Sequence, residues 1–186
     1  MELMPPLTLG WLNGWILLAI HFLIQGGLLL AFPKPVVARL FDRSQWSPKQ
    51  KLFTILGKIF SLACLALIIL TPLKTSAPLV PLGLSLYALG LAGLVIAMLN
   101  FRDTPLDQPV TRGVYRYSRH PQIVALFFIF AGICLAIASW AALLALLLSK
   151  LLQHFGILGE EEACLQQYGE PYREFMQRVP RYLWFI

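Results

Sequence analysis

The chain has 186 residues, 58% of them hydrophobic, a mean hydropathy of +0.71 and a formal net charge of +6. That composition predicts an integral membrane protein and leaves no room for a separate soluble domain of ordinary size. Basic residues in such a chain chiefly report orientation and contact with anionic membrane lipid, so no nucleic-acid partner is expected.

The first apolar run, Leu9–Phe32, follows Glu2 and Pro5-Pro6, with no basic segment before it and no small-residue cleavage site after it. It reads as a retained span rather than a signal peptide. Further spans are predicted at Leu52–Leu70, Leu79–Leu99, Gln122–Ala138 and Trp140–Leu158. Gly57 with Ser61, and Gly93 with Ala97 one turn after Gly90, mark places where helices approach closely. Gly90-Leu91-Ala92-Gly93 has a second reading, a turn that cradles a cofactor. Cys64 and Cys134 fall in spans and Cys164 follows an acidic cluster, so inert thiols are expected and no disulfide framework.

The loop from Pro33 to Lys51 carries Lys34, Arg39, Arg43, Lys49 and Lys51, and that from Asn100 to His120 carries Arg102, Arg112, Arg116 and Arg119. The turn at Thr71–Pro78 has only Lys74, and the turn at Ser139-Trp140 has none. Thirteen of the fifteen basic residues are then cytoplasmic if the N-terminus is outside and the C-terminus inside, with Lys58 snorkelling to the same side. The expected fold is all-α: a single membrane domain over residues 1–186 with about five transmembrane helices. Three spans fill 1–99; a loop, a C-terminal helical hairpin pair and a cytoplasmic segment fill 100–186. That last segment is polar from Glu160, is interrupted at Gly169-Glu170-Pro171, and predicts a short amphipathic helix to about Arg178. Tyr172, Phe175, Met176 and Val179 form its apolar stripe, which lies on the membrane or caps the bundle.

The hairpin brackets a candidate site. Between Pro121 and Glu160 lie 38 residues with one charge, Lys150. A bilayer core of about 30 Å takes about 20 helical residues, so the stretch fits two spans and returns to the face it left. His120 and Glu161 should therefore meet at one membrane surface. Pro121 suits the first position of a helix and places His120 at its N-terminus, where free N–H groups attract an anion, reinforced by Arg119 and Arg116. Glu161 and Glu162 supply the charge that suits an ammonium, a sulfonium or ribose hydroxyls. The same residues taken singly also read as topology anchors, a solvated helix start and an interfacial histidine. His21, His120 and His154 stand at scattered depths, so no metal site is expected. No nucleophilic triad is expected either.

Five segments in order, Val110-Thr111-Arg112-Gly113-Val114-Tyr115, Arg119-His120-Pro121, Glu161-Glu162-x-x-Leu165, Tyr168-Gly169-Glu170-x-Tyr172 and Val179-Pro180-Arg181, resemble the isoprenylcysteine carboxyl methyltransferase family. That family is related to the membrane phospholipid methyltransferases, and the resemblance covers about Asn100 to Arg181. It implies a membrane-embedded methyltransferase that uses S-adenosylmethionine without a Rossmann domain. By position it implies cofactor contacts at Tyr115, His120, Pro121, Glu161 and Glu162, at Asp107, Gln108, Pro109 and Val110 in the loop upstream, and at Asn100. The chain departs from the family at Ile123 and Ala125, where tyrosine and glycine are frequent. It departs again at Ile157, where an arginine serves the prenylcysteine carboxylate, and at Tyr182-Leu183-Trp184, where a proline is usual. The implied activity is methyl transfer to a lipophilic acceptor entering from the bilayer of a bacterial-type inner membrane, with a prenylcysteine not the favoured acceptor. Because a sulfonium is already activated, no catalytic residue is assigned; His120 or Glu162 is the candidate base for an acceptor that must lose a proton. The alternatives are a phospholipid N-methyltransferase and a non-enzymatic membrane protein that keeps the fold. Oligomeric state is not set by the sequence.

Overall fold

The structure, a computed structural model, describes residues 1–75 and 77–183. Position 184 of the departure at Tyr182-Leu183-Trp184 lies outside the described residues, as does Ser76 in the turn at Thr71–Pro78. Among the described residues there are seven α-helices and no named strand: α1 (Trp15–Ala31), α2 (Lys34–Phe41), α3 (Pro48–Leu70), α4 (Val80–Arg102), α5 (Pro121–Ala136), α6 (Trp140–Tyr168) and α7 (Glu170–Arg178). A 3-10 turn covers Gly113–Arg116.

Helices α3, α4 and α6 are long and apolar enough to cross a membrane. Helices α1 and α5 are apolar but have 17 and 16 residues, a rise of about 25 Å against a core of about 30 Å. Three spans by length, with two shorter apolar helices beside them, stand where five spans are expected. The 29 residues of α6 rise about 43 Å, more than a bilayer core. Its apolar section ends at Leu158, and the polar section from Glu160 to Tyr168 projects beyond it. The helix does not stop at the acidic cluster; it runs on to Gly169, whose φ of +63° ends it. Local chemistry sets the other ends. Ser47 and Gln50 form a reciprocal capping box for α3, Pro121 opens α5, and the Ser139 hydroxyl accepts from Ala142 N–H at 3.2 Å to open α6. Helix α2, inside the first basic loop, is not foreseen from hydropathy.

Two seams hold the bundle: α4 against α5, and α3 against α6. In the first, a Cβ on Gly90 would stand 2.7 Å from Ile129 N, and one on Gly83 the same distance from Gly132 O. In the second, a Cβ on Gly57 would stand 3.0 Å from Ser149 O. The Ser61 and Ser149 hydroxyls meet at 2.6 Å, and Gln153 Nε2 donates to them at 2.9 and 2.7 Å. Small residues are therefore packing devices here, and Gly90–Gly93 is ordinary α4 rather than a cofactor-cradling turn. Consecutive helices α5 and α6 lean on these separate partners and touch each other much less. The wedge between them opens toward the basic loops.

Candidate functional site

At the basic end the wedge becomes a cavity of about 1340 Å³. Its walls come from α2 and residues 42–46, from the loop before α5, from α5, from the lower half of α6, and from α7. Each wall is fixed by identifiable bonds. Gly113 has φ +60°, and a Cβ there would run into the Asn100 side chain, whose Oδ1 instead accepts from Val114 N–H at 3.0 Å. Asn100 thus pins the 3-10 turn that carries Tyr115. Arg39 of α2 donates to Pro105 O at 3.1 Å and Gln108 O at 2.7 Å, with its guanidinium 5.1 Å from the Phe101 ring centre and 5.7 Å from that of Tyr168. The Tyr168 hydroxyl donates to Leu106 O at 3.3 Å. The loop upstream of Arg119-His120-Pro121 is clamped from two sides.

The polar centre is a charge knot. His120 Nε2 and Glu161 Oε1 lie 3.1 Å apart, although 41 positions separate them. Arg181 binds the same carboxylate through Nη2 at 2.7 Å and Nε at 3.0 Å. Arg119 Nε sits 3.3 Å from Oε1 without hydrogen-bond alignment, which leaves a buried donor unpaired among the described residues. Glu161 is 3% exposed. Burial pushes its carboxyl up, but the His120 and Arg181 hydrogen bonds outweigh this and hold it down at about 2. Backbone bonds fasten the knot: Arg119 N–H donates to Pro180 O at 3.0 Å, and His120 N–H and Ser118 Oγ donate to Arg181 O at 3.3 and 3.1 Å. One carboxylate faces two guanidinium groups, so the knot presents net positive charge. Glu160, the preceding residue, lines the cavity itself.

The structure sorts the sequence candidates by placement. Pro109, Val110, Tyr115 and His120 line the cavity. Tyr115 is buried, its hydroxyl accepts from Gln122 Nε2 at 2.9 Å, and burial pushes that hydroxyl well above the usual tyrosine range. Asp107 and Gln108 are exposed, and Gln108 contributes its backbone carbonyl to Arg39. Pro121 opens α5. Glu161 and Glu162 line a second crevice of about 220 Å³ with Leu158, Leu165, Met176 and Arg181. Glu162 accepts from Gln50 Nε2 at 2.9 Å. Arg116, expected to reinforce the field, is exposed and stands off the cavity wall, because the 3-10 turn points Tyr115 inward instead. Helix α7 buries Tyr172 and Phe175 with Tyr115 and packs on Val110 and Leu165, so it caps the bundle. Cys164 also lines the cavity, and burial pushes its thiol up to about 12, in keeping with an inert thiol.

Sequence reasoning missed Arg181, Arg39, Glu160 and Trp46. Arg181 stood in a recognised motif without a task. Arg39 and Trp46 come from a loop that hydropathy marks only as basic. The Trp46 indole N–H is buried on the cavity wall without a partner among the described residues. No group of three or more His, Cys, Asp or Glu side chains among the described residues is arranged to hold a metal ion.

A family model of phospholipid methyltransferases matches residues 83–171. The match runs from the first turn of α4 to the first turn of α7 and takes in Arg119-His120-Pro121, Glu160 and Glu161. The resemblance to membrane methyltransferases is borne out by it. Neither the curated proteins nor the solved structures contain a match to this chain.

Proposed function

We propose that the chain is an integral membrane methyltransferase that uses S-adenosylmethionine and methylates a lipophilic acceptor reaching the cavity from the bilayer. The observation that carries this is the convergence of His120 and Glu161 beside a large cavity at the basic end, within the stretch matched by the phospholipid methyltransferase family. In this proposal the basic end is cytoplasmic and the N-terminus lies outside.

The donor set suits a cofactor with both charges. Two buried donors on the cavity wall, Arg119 Nε and Trp46 Nε1, have no hydrogen-bond acceptor among the described residues, and the exposed carboxylate of Glu160 lines the same cavity. Arg119 and His120 would hold the amino-acid carboxylate at the N-terminus of α5. Glu160 would face the ammonium or the ribose hydroxyls, with Trp46, Tyr115, Pro109 and Val110 against the nucleoside. Bound there, S-adenosylmethionine supplies an electrophilic methyl group. Glu161 acts through others, fixing Arg119, His120 and Arg181. The apolar walls of α5 and α6 exclude water and guide the acceptor, and orientation with water exclusion is the main contribution asked of the protein.

A second reading, N-methylation of a phospholipid amine, is favoured by the family match and by Ile157 at the place where a carboxylate-binding arginine would stand. Membranes carrying the protein and methyl-labelled S-adenosylmethionine test both. Label in choline-type lipids supports the second reading, and label in another lipophilic product supports the broader one. No label above that of membranes lacking the protein contradicts both.

A further inference from the structure

The two bases suggested by the sequence are already engaged. His120 Nε2 is bonded to Glu161, and Glu162 is held by Gln50 and lines the smaller crevice. His154 is placed differently. It stands two helical turns before Glu161 on α6 and lines the main cavity, and its Nδ1 lies 2.9 Å from the Tyr182 hydroxyl. No described residue forms a hydrogen bond with its Nε2. Tyr182 is itself held in place, because the preceding Arg181 is locked to Glu161 and to the backbone of residues 118–120. The His154 ring packs edge-on against Phe155 with centroids 6.3 Å apart, and lies 6.0 Å from the Tyr182 ring. Arg181, Glu161 and His120 are the titratable groups that face it from the basic end, and Lys150 lines the same wall one turn earlier.

We propose that His154, oriented by Tyr182, is the catalytic base that takes a proton from an amine acceptor. This rests on the methyltransferase reading and extends it. A histidine ring fixed at one nitrogen presents the other in a defined protonation state. In this proposal Nδ1–H donates to the Tyr182 oxygen, which leaves the lone pair of Nε2 to accept a proton. An acceptor ammonium gives one N–H proton to Nε2 and becomes an amine. The amine lone pair then forms the N–C bond with the methyl carbon, the C–S bond breaks with its electron pair going to sulfur, and the sulfonium becomes a neutral thioether. The methylated nitrogen keeps the positive charge, and His154 returns its proton to water.

The test uses the full chain in nanodiscs with nitrogen-15-labelled histidine, with His154 assigned by its loss in His154→Asn. At neutral pH the spectrum should show Nδ1 protonated and Nε2 bare, a state disturbed by Tyr182→Phe. In vesicles of phosphatidylethanolamine and phosphatidylglycerol, His154→Asn should slow labelled-methyl transfer about 100-fold. It should also abolish the fall in wild-type rate at acid pH, while S-adenosylhomocysteine binds with wild-type affinity as the check on folding. Tyr182→Phe should slow transfer less. A protonated Nε2 in the neutral ring, turnover in His154→Asn equal to wild type, or a wild type that binds S-adenosylhomocysteine but never methylates the amine lipid would each overturn the proposal. Failure of the folded wild type to bind S-adenosylhomocysteine would instead overturn the methyltransferase reading beneath it.

Discussion

The two ends of the helix bundle are closed by different chemistry. Away from the basic loops, the N-terminal segment before α1 knits the turns together through the backbone. Glu2 N–H donates to Ala138 O at 2.9 Å and Glu2 O accepts from Trp140 N–H at 3.0 Å; Thr8 N–H reaches Leu70 O at 2.7 Å and Leu73 N–H reaches Leu12 O at 2.8 Å. The buried Asn13 side chain donates to Thr8 O and Ile69 O. At the basic end the work falls to side chains: the Glu161 knot, the Arg39 clamp and the Asn100 pin. Backbone pairing makes a closed end with little to offer a ligand. Side-chain closure leaves a cavity whose walls carry charge, at the cost of placing buried ions that depend on one another.

The sharpest way to break this contrast is Glu161→Ala. It strips the counter-charge from buried Arg119 and half-buried Arg181, and loss of one member of such a knot costs about 3–5 kcal/mol, read as a large fall in thermal midpoint. The pH dependence has the same origin. A carboxyl held at about 2, below its ordinary 4.5, contributes stability that is complete above 4.5 and is lost as pH falls toward 2. A stability profile across pH 2–8 should therefore be flat on this account above 4.5 and fall below it, with the fall reduced in Glu161→Gln.

Asn13→Ala should cost about 1–3 kcal/mol by orphaning two carbonyls, yet leave S-adenosylhomocysteine affinity unchanged in calorimetry. Loss of affinity there would mean that the ends are not separable. Arg39→Lys should do the reverse, weakening that affinity about tenfold with little change in melting. A lysine cannot donate two parallel bonds while stacking between Phe101 and Tyr168. The smallest effect belongs to the α5–α6 turn. Ala138 has φ +53°, and Ala138→Gly should raise stability by no more than about 1 kcal/mol, because glycine takes the left-handed region without a Cβ penalty.

Hydropathy located the apolar helices because burial in lipid demands long uncharged runs, and charge counting separated the two ends for the same reason. The meeting of His120 and Glu161 followed from a there-and-back path alone. The wedge between α5 and α6 did not, because a hairpin pattern says nothing of which neighbour each arm prefers; the Gly83–Gly132 and Gly57–Ser149 contacts decide that. Glu161 and Glu160 are adjacent in sequence, yet only the helical phase of α6 tells which meets Arg181 and which lines the cavity. Arg39 could not be singled out among five basic loop residues, since its partners are the carbonyls of a distant loop.

In the proposed function the cavity at the basic end holds S-adenosylmethionine between Arg119, His120 and Glu160. Calorimetric titration of S-adenosylhomocysteine into the wild type, Glu160→Gln, His120→Ala and Asn13→Ala in nanodiscs tests it most directly. Micromolar binding is expected for the wild type and Asn13→Ala, with affinity at least tenfold weaker in the two cavity variants. No binding by the folded wild type, or equal affinity in all four proteins, would contradict it.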